Sequence, residues 1–198
     1  MIYMGRIERI HGLLFKKFGV CSLPIFMVLC MVTTFHSLYA HKPYFKNLNA
    51  ESGLSHNTVF AILQDSHGFM WFGTKDGLNR YDGVRFRIFK NEPGVSGSIG
   101  TNTIQSLFEN SDGRIWAGTN QGIYIYHPEI EEFEFFDVLD QDGHPIWGQI
   151  LHISKAQNGY IWIASSSAGL YRFHQKTGKL KHYYHQPSNM ASLASGSV

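Results

Sequence analysis

The chain has 198 residues, of which 17 are Lys or Arg and 15 are Asp or Glu, giving a formal net charge of +2. Four of the basic residues precede His41, and from His41 onward 13 basic residues stand against 14 acidic ones. This near-neutral part has no basic stripe of the kind that sequence-independent phosphate binding requires, so no nucleic-acid partner is expected for it.

The first forty residues have the layout of a signal peptide. Four basic residues precede an apolar run over residues 20–32, which at about 13 residues is shorter than the roughly 20 of a membrane-spanning helix. Ala40 supplies a small residue for cleavage before His41. We therefore predict a signal peptide over residues 1–40 and a periplasmic or otherwise exported mature chain. The alternative is an uncleaved anchor, because the basic front is unusually long.

Both cysteines, Cys21 and Cys30, lie within this predicted signal peptide. The sequence from His41 onward therefore contains no cysteine and cannot form a disulfide. The exported part must be stabilised by packing.

One sequence pattern then occurs three times. Trp71, Trp116 and Trp162 each stand in a short run rich in aromatic and β-branched residues, and they are 45 and 46 residues apart. Each run follows a turn whose last residue suits a positive φ, namely Gly68, Gly113 and Gly159. Short strands repeating with a period near 45 residues are typical of β-propeller blades.

Each copy contains four predicted strands separated by turns. The innermost strands are predicted at 59–64, 104–109 and 150–153. The second and third strands follow at 69–74 and 78–81, at 114–119 and 123–126, and at 160–165 and 169–173. The closing segments place charges on every second residue, as in an outermost strand with one wet face; they are 85–89, 132–136 and 179–184.

These elements predict an all-β fold, a β-propeller of three four-stranded blades plus the start of a fourth, which leaves the ring incomplete. After the signal peptide, the predicted units are an orphan outer strand with the loop into blade 1 (41–58), blade 1 (59–97), blade 2 (98–146), blade 3 (147–190) and the start of blade 4 (191–198). Because propellers have about four to eight blades, we expect a fragment of a longer protein or a truncated product.

Two other interpretations of the repeat remain open. A β-sandwich also has closely spaced strands, but it gives no reason for Trp to return at the same strand position every 45 residues. The recurring residues Trp71, Trp116 and Trp162 could be platforms for sugar stacking, although an aromatic residue repeated in register is more often buried core. We therefore assign them, with Gly68, Gly113 and Gly159, to the structural core of the repeat.

The repeated units resemble two-component regulator propeller repeats. The segments that carry the resemblance are 65–74, 110–119 and 158–165, each running from a turn into the Trp-bearing strand, and the opening Gly53-Leu54-Ser55-His56-Asn57-Thr58-Val59. The opening is similar to the first blade of hybrid two-component sensors in polysaccharide-degrading bacteria. One departure is Ala164, which stands where the first two copies have Gly73 and Gly118.

The resemblance implies a periplasmic sensor that recognises oligosaccharides, commonly as a homodimer. In such sensors a transmembrane helix, a histidine kinase and a response regulator follow the propellers, so kinase activity would belong to the full-length homologue and the whole protein would be anchored in the inner membrane. The partners implied for this chain are an oligosaccharide or other small polar ligand, the remaining blades and a second copy.

Ligands of propellers commonly bind where two sets of loops meet around the axis: those leading into the innermost strands and those joining the second and third strands. At these positions the copies differ while their scaffold does not, and a neutral sugar needs amides, hydroxyls and an exposed ring. The candidate ligand-binding residues are Trp147, His56, Asn57, Asn102, Lys75, Asp76, Asn120, Gln121, Ser166 and Ser167.

Trp147 is the strongest candidate because it stands outside the repeating Trp column and in a turn, although a loop Trp that covers the blade edge would look the same. For the other polar positions, ordinary solvated turns are the favoured interpretation. Lys75 and Asp76 could simply pair with each other.

No motif in the sequence indicates catalysis. Within the blades no two histidines have the His-x3–5-His spacing of zinc sites, and there is no nucleophile elbow, phosphate loop or paired-carboxylate constellation. We predict no cofactor, no metal and no enzymatic activity for this region. The alternatives are part of a propeller lyase or hydrolase that gathers its acid and base from several blades, or a nonfunctional truncated product.

Overall fold

In the computed structural model, which describes residues 45–196, the chain forms three four-stranded antiparallel sheets. Sheet 1 contains β1 (Val59–Gln64), β2 (Met70–Thr74), β3 (Gly77–Tyr81) and β4 (Phe86–Phe89). Sheet 2 contains β5 (Ile104–Glu109), β6 (Ile115–Thr119), β7 (Gly122–His127) and β8 (Glu132–Phe135). Sheet 3 contains β9 (Ile150–Lys155), β10 (Tyr160–Ser165), β11 (Gly169–His174) and β12 (Lys179–Tyr183). The prediction of three four-stranded blades is confirmed.

The predicted signal peptide, with Cys21 and Cys30, lies outside the described residues, as do residues 41–44 and 197–198. All strands belong to a unit that begins at Asn47. Residues 45–49 are not part of any described strand, so the orphan outer strand stays a prediction. Within residues 45–196, no helix is long and apolar enough to cross a membrane.

The innermost strands share a β-bulge at their second residue. In each blade the pairing with the second strand skips one position, at Phe60, Gln105 and Leu151. A bulge increases the local twist of a strand, and its recurrence gives the three innermost strands the same shape. The Ser106 hydroxyl in β5 donates to the Ile150 carbonyl in β9 at 2.9 Å, which ties two of these strands together.

The Trp-bearing strands of blades 1 and 2 pack against the following blade. Trp71 is 1% exposed in a cluster with Ile115, Tyr126 and Phe133 of blade 2, and Trp116 lies in the equivalent cluster with residues of blade 3. Trp162 keeps the same register, opposite Arg172 as Trp71 is opposite Arg80, but it is only half-buried. The repeat thus places Trp71 and Trp116 at the two seams between the described blades.

The turn before each Trp-bearing strand has the backbone geometry expected from its glycine. The φ angles of Gly68, Gly113 and Gly159 are 90°, 80° and 79°, in the left-handed region that glycine adopts without a steric penalty. The three blades therefore share a glycine with positive φ at this position, although in blade 3 the preceding Asn158 also has a positive φ of 66°.

Candidate functional site

Backbone hydrogen bonds bring the two sets of loops to one face of the molecule. The Lys75 amide donates to the Thr58 carbonyl at 3.1 Å, and the Gly77 amide to the Asn102 carbonyl at 2.7 Å. In blade 3 the Ser166 amide donates to the Gln149 carbonyl at 2.9 Å. We call this surface the loop face; it comprises residues 54–58, 74–77, 98–103, 119–122, 146–149 and 165–169.

The candidates in the first loop support the loop itself. The Asn57 side-chain oxygen accepts a hydrogen bond from the Ala50 amide at 2.7 Å, and His56 Nδ1 accepts one from the Thr58 amide at 2.8 Å. These bonds fix the path of the chain before β1. The bonded atoms are therefore already engaged in shaping the loop, although the rest of the exposed Asn57 amide faces solvent.

Asp76 and Asn102 form a polar link between blades 1 and 2. One Asp76 oxygen accepts from Asn102 Nδ2 at 3.0 Å, and the other lies 2.6 Å from Lys90 Nζ. The hydrogen bond from Lys90 is the main reason that the pKa of Asp76 is lowered. Asp76 thus pairs with Lys90 rather than with Lys75, which is exposed.

The two blade 2 candidates make fewer side-chain hydrogen bonds than Asp76 and Asn102. Asn120 and Gln121 are both exposed at the turn between β6 and β7. The Asn120 side-chain oxygen accepts a hydrogen bond from the Thr101 hydroxyl at 2.9 Å. The backbone amide of Gln121 donates to the Thr119 hydroxyl at 3.0 Å, so the Gln121 side chain takes no part in that contact.

The blade 3 candidates lie beside a cleft of about 440 Å³, within the roughly 300–1,000 Å³ of small-molecule sites. Trp147 is 50% exposed at its rim, and its backbone carbonyl accepts a hydrogen bond from the Ser165 hydroxyl at 3.0 Å. Ser167 lines the cleft, whereas Ser166, the preceding residue in the same loop, is not among the lining residues. The lining residues are Asp142, His144, Trp147, Ser167, Ala168, His182, Tyr184, His185 and Gly196.

One wall of this cleft is a small hairpin that the sequence reasoning missed. Leu139 and Pro145 pair as an isolated bridge, and the Asp140 amide donates to the His144 carbonyl at 2.8 Å. Asp140 to Gly143 repeats the Asp-x-x-Gly turn of the first blade at a position between blades 2 and 3. That extra copy of the turn pattern was the signal that could have revealed the hairpin.

The opposite wall comes from the last strand. His182 stacks on Tyr171 with ring centroids 4.1 Å apart and an interplanar angle of 10°, and Tyr184 lies 4.9 Å from His182. Tyr171 is fully buried while Tyr184 is 39% exposed. The cleft therefore has two accessible aromatic rings, Trp147 and Tyr184, backed by a packed aromatic layer.

The lining of the cleft contains a carboxylate and three histidines but no Lys or Arg. The Asp140 side chain is fully buried; burial alone would raise its pKa, but the His144 and Asp142 amides and the nearby histidines lower it. Asp142 contributes a second carboxylate, and none of the lining residues is Lys or Arg. In the part of the chain that the structure describes, no three His, Cys, Asp or Glu side chains are arranged to hold a metal ion.

Comparison with known proteins identifies the repeat. The Two component regulator propeller family matches residues 53–76 and 98–121. Histidine kinase P4 of Formosa agariphila is 40% identical over 86 residues, which cover 42% of this chain and 6% of the kinase. The matched part is thus a small portion of that relative.

Solved structures of two extracellular domains have a similar fold. The extracellular domain of the hybrid two component system BT3049 from B. thetaiotaomicron is similar with a TM-score of 0.68 and 29% identity, over 78% of this chain and 22% of that domain. The extracellular domain of BT4673 from the same organism has a TM-score of 0.58 and 19% identity, over 73% and 22%. The chain therefore has a β-propeller fold, and its residues 53–76 and 98–121 match two-component regulator propeller repeats.

Proposed function

We propose that the chain is the ligand-sensing region of an exported two-component sensor and that it binds a neutral oligosaccharide in the cleft beside Trp147. The matched repeats and the similarity to the extracellular domain of BT3049 support the sensor role. The chain spans only 22% of that domain, so the remaining blades, an inner-membrane anchor, a periplasmic location and a kinase belong to the proposed whole protein. A homodimer stays a prediction.

The observation that carries the ligand assignment is the pairing of exposed aromatic rings with polar groups in one cleft. Trp147 and Tyr184 are 50% and 39% exposed and line the same space. Sugar rings present flat C–H faces that pack on aromatic rings, and their hydroxyls need donors and acceptors. Ser167, His144 and His185 supply such groups around the rings.

The charges favour a neutral sugar over an acidic one. A uronate or sulfate group is bound most strongly by charge-assisted hydrogen bonds from Arg or Lys, and the cleft lining contains neither. The Asp142 carboxylate would repel such an anion. A neutral sugar needs no Arg or Lys partner and is not repelled by Asp142.

The test is calorimetric titration of the exported chain with matched neutral and acidic tetrasaccharides: galactotetraose against tetragalacturonate, and mannotetraose against tetramannuronate. We expect binding of a neutral member, weak or absent binding of its acidic counterpart, and at least about a tenfold loss on Trp147→Ala, as for a central aromatic contact. Val84→Ala is the control, because Val84 is an apolar residue 78% exposed in the turn before β4.

Three results would contradict the proposal. They are binding of the acidic member alone, an unchanged affinity in Trp147→Ala, and no binding of any member of the panel. Chromatography of the same mixtures tests the enzyme alternative, because a propeller lyase or hydrolase would convert the tetrasaccharide to shorter products.

A further inference from the structure

Both ring nitrogens of His182 lie close to an oxygen atom. Nε2 lies 2.6 Å from the Ala168 carbonyl oxygen, and since a carbonyl only accepts, Nε2 must carry a proton and donate. On the other side of the ring, Nδ1 lies 3.3 Å from Asp140 Oδ2. The stacking on Tyr171 fixes the plane of the ring between these two partners.

The Asp140 carboxylate needs a positive partner. Its Oδ1 accepts the amides of Asp142 and His144, both at 2.9 Å, whereas Oδ2 accepts no well-aligned hydrogen bond from any described residue. The side chain has no exposed surface. An uncompensated buried carboxylate is strongly unfavourable, and a proton on His182 Nδ1 provides the missing compensation at Oδ2.

We propose that His182 is the positioning residue of the Trp147 cleft and that its protonation sets the shape of the cleft. When both nitrogens carry protons, the ring ties the 139–145 hairpin, through Asp140, to the loop between β10 and β11, through Ala168. When the Nδ1 proton is lost, a lone pair faces the carboxylate and the hairpin loosens. The effect on ligand binding rests on the proposed function; the effect on the hairpin does not.

Comparison of the blades shows that this contact belongs to blade 3 alone among the three. His182 pairs across the strands with Tyr171, and the residues at the same register position are Ile88 in blade 1 and Phe135 in blade 2. Phe135 packs edge to face against Tyr124 with centroids 5.2 Å apart. A ring without nitrogens is therefore compatible with this position.

Other titratable groups face the same cluster. His144 Nδ1 lies 3.8 Å from Asp140 Oδ1, but its side chain is 71% exposed, so water screens its charge. Burial raises the pKa of Tyr171, which keeps that ring neutral near pH 7. Asp142 and Tyr184 lie at the cleft surface. His182, with its side chain 10% exposed, is the ring enclosed between the two walls.

The test measures amide hydrogen exchange of the 139–145 hairpin at pH 5.5 and pH 8, the range across which histidine changes charge, with correction for the intrinsic rates. In the unsubstituted chain we expect protection about tenfold greater at pH 5.5, the factor that corresponds to the Coulomb attraction of two unit charges 3.3 Å apart at the dielectric constant of water. His182→Phe, which places in blade 3 the residue type that blade 2 has at Phe135, should show low protection at both values. His144→Gln should keep the pH dependence.

The proposal is overturned by pH-independent protection in the unsubstituted chain, by an unchanged pH profile in His182→Phe, or by loss of the profile in His144→Gln. This readout needs no ligand, so it separates the proposal from the function of the cleft. If galactotetraose binds, its affinity should be higher at pH 5.5 than at pH 8 and should lose this dependence in His182→Phe.

Discussion

Trp71 of blade 1 and Tyr126 of blade 2 meet edge to face, with ring centroids 5.1 Å apart, across the seam between their blades. At the next seam Trp116 and Phe173 occupy the corresponding positions, with ring centroids 6.1 Å apart and an interplanar angle of 46°. At both seams, the Trp of one blade thus packs against the third strand of the following blade. A fixed aromatic contact at successive seams explains why Trp recurs with the period of the blade.

This contact predicts unequal costs for two chemically identical substitutions. Trp71→Ala should lower the free energy of unfolding by about 3–5 kcal/mol, because it leaves a cavity in a closed seam. Trp162→Ala should cost less, about 1–2 kcal/mol, since Trp162 is half-buried and its replacement leaves less of a cavity. Urea denaturation of the two variants measures both, and equal losses would contradict the seam interpretation.

A second prediction concerns the polar end of Trp71. Its indole nitrogen donates to Asp65 Oδ2 at 2.7 Å, while Asp65 Oδ1 accepts the His67 and Phe69 amides. Asp65→Ala should therefore cost about 1–3 kcal/mol, because it leaves a buried indole N–H and two amides without their acceptor. The measurement is again urea denaturation, with Trp71→Phe to isolate the indole bond.

Asn110 is the matched control for Asp65, since it occupies the same turn position in blade 2. Its side-chain oxygen accepts from Gln175 rather than from Trp116, whose indole nitrogen has no described partner. Asn110→Ala should cost less than Asp65→Ala. The reverse order would show that the turn, and not the indole bond, carries the stability.

A third prediction follows from the close approach of the blades at Gly118. A Cβ built there would lie 2.2 Å from Ser106 Oγ and 2.8 Å from Ile150 Cγ2. Gly118→Ala should destabilise the chain by about 1–3 kcal/mol through overpacking. The opposite exchange at the matching position, Ala164→Gly, should cost about 0.5–1 kcal/mol through chain entropy alone. Thermal unfolding of both variants checks the difference.

A fourth prediction uses the pH dependence of an ion cluster. Glu131 in blade 2 binds Arg87 and Arg80 of blade 1, and hydrogen bonding from Arg87 is the main reason that the pKa of Glu131 is lowered. A carboxyl with a lowered folded-state pKa stabilises the fold above its unfolded-state pKa, and this contribution is lost as pH falls through the folded-state value. The stability difference between the chain and Glu131→Gln should therefore shrink between pH 7 and pH 3.

Because the Glu131 side chain is 36% exposed, the difference at pH 7 should be small and should decrease with added salt. Glu132→Gln, at the neighbouring exposed position, is the control. Unfolding curves measured at several pH values would contradict the prediction if the two variants titrated alike.

The candidate site was predictable only in part. Trp147 stood out because it broke the repeat, and the structure places it and Ser167 at one cleft with polar and aromatic neighbours. Asp76 and Asn102 were found as loop residues, but the structure engages them in a link between blades. Asp140 and His182 were missed, since they are 42 residues apart and neither position repeats a blade feature.

By itself the sequence determined the number of described blades, the strands within them and the seam position of Trp71 and Trp116, because each depends on a local pattern that repeats. Only the tertiary structure decided which side chains share a cleft. The 139–145 hairpin meets β12 through packing between distant segments, and the pairing of Asp140 with His182 depends on distances that no local period encodes. Local patterns specify a blade, whereas the cleft arises from contacts that close only when the blades are stacked.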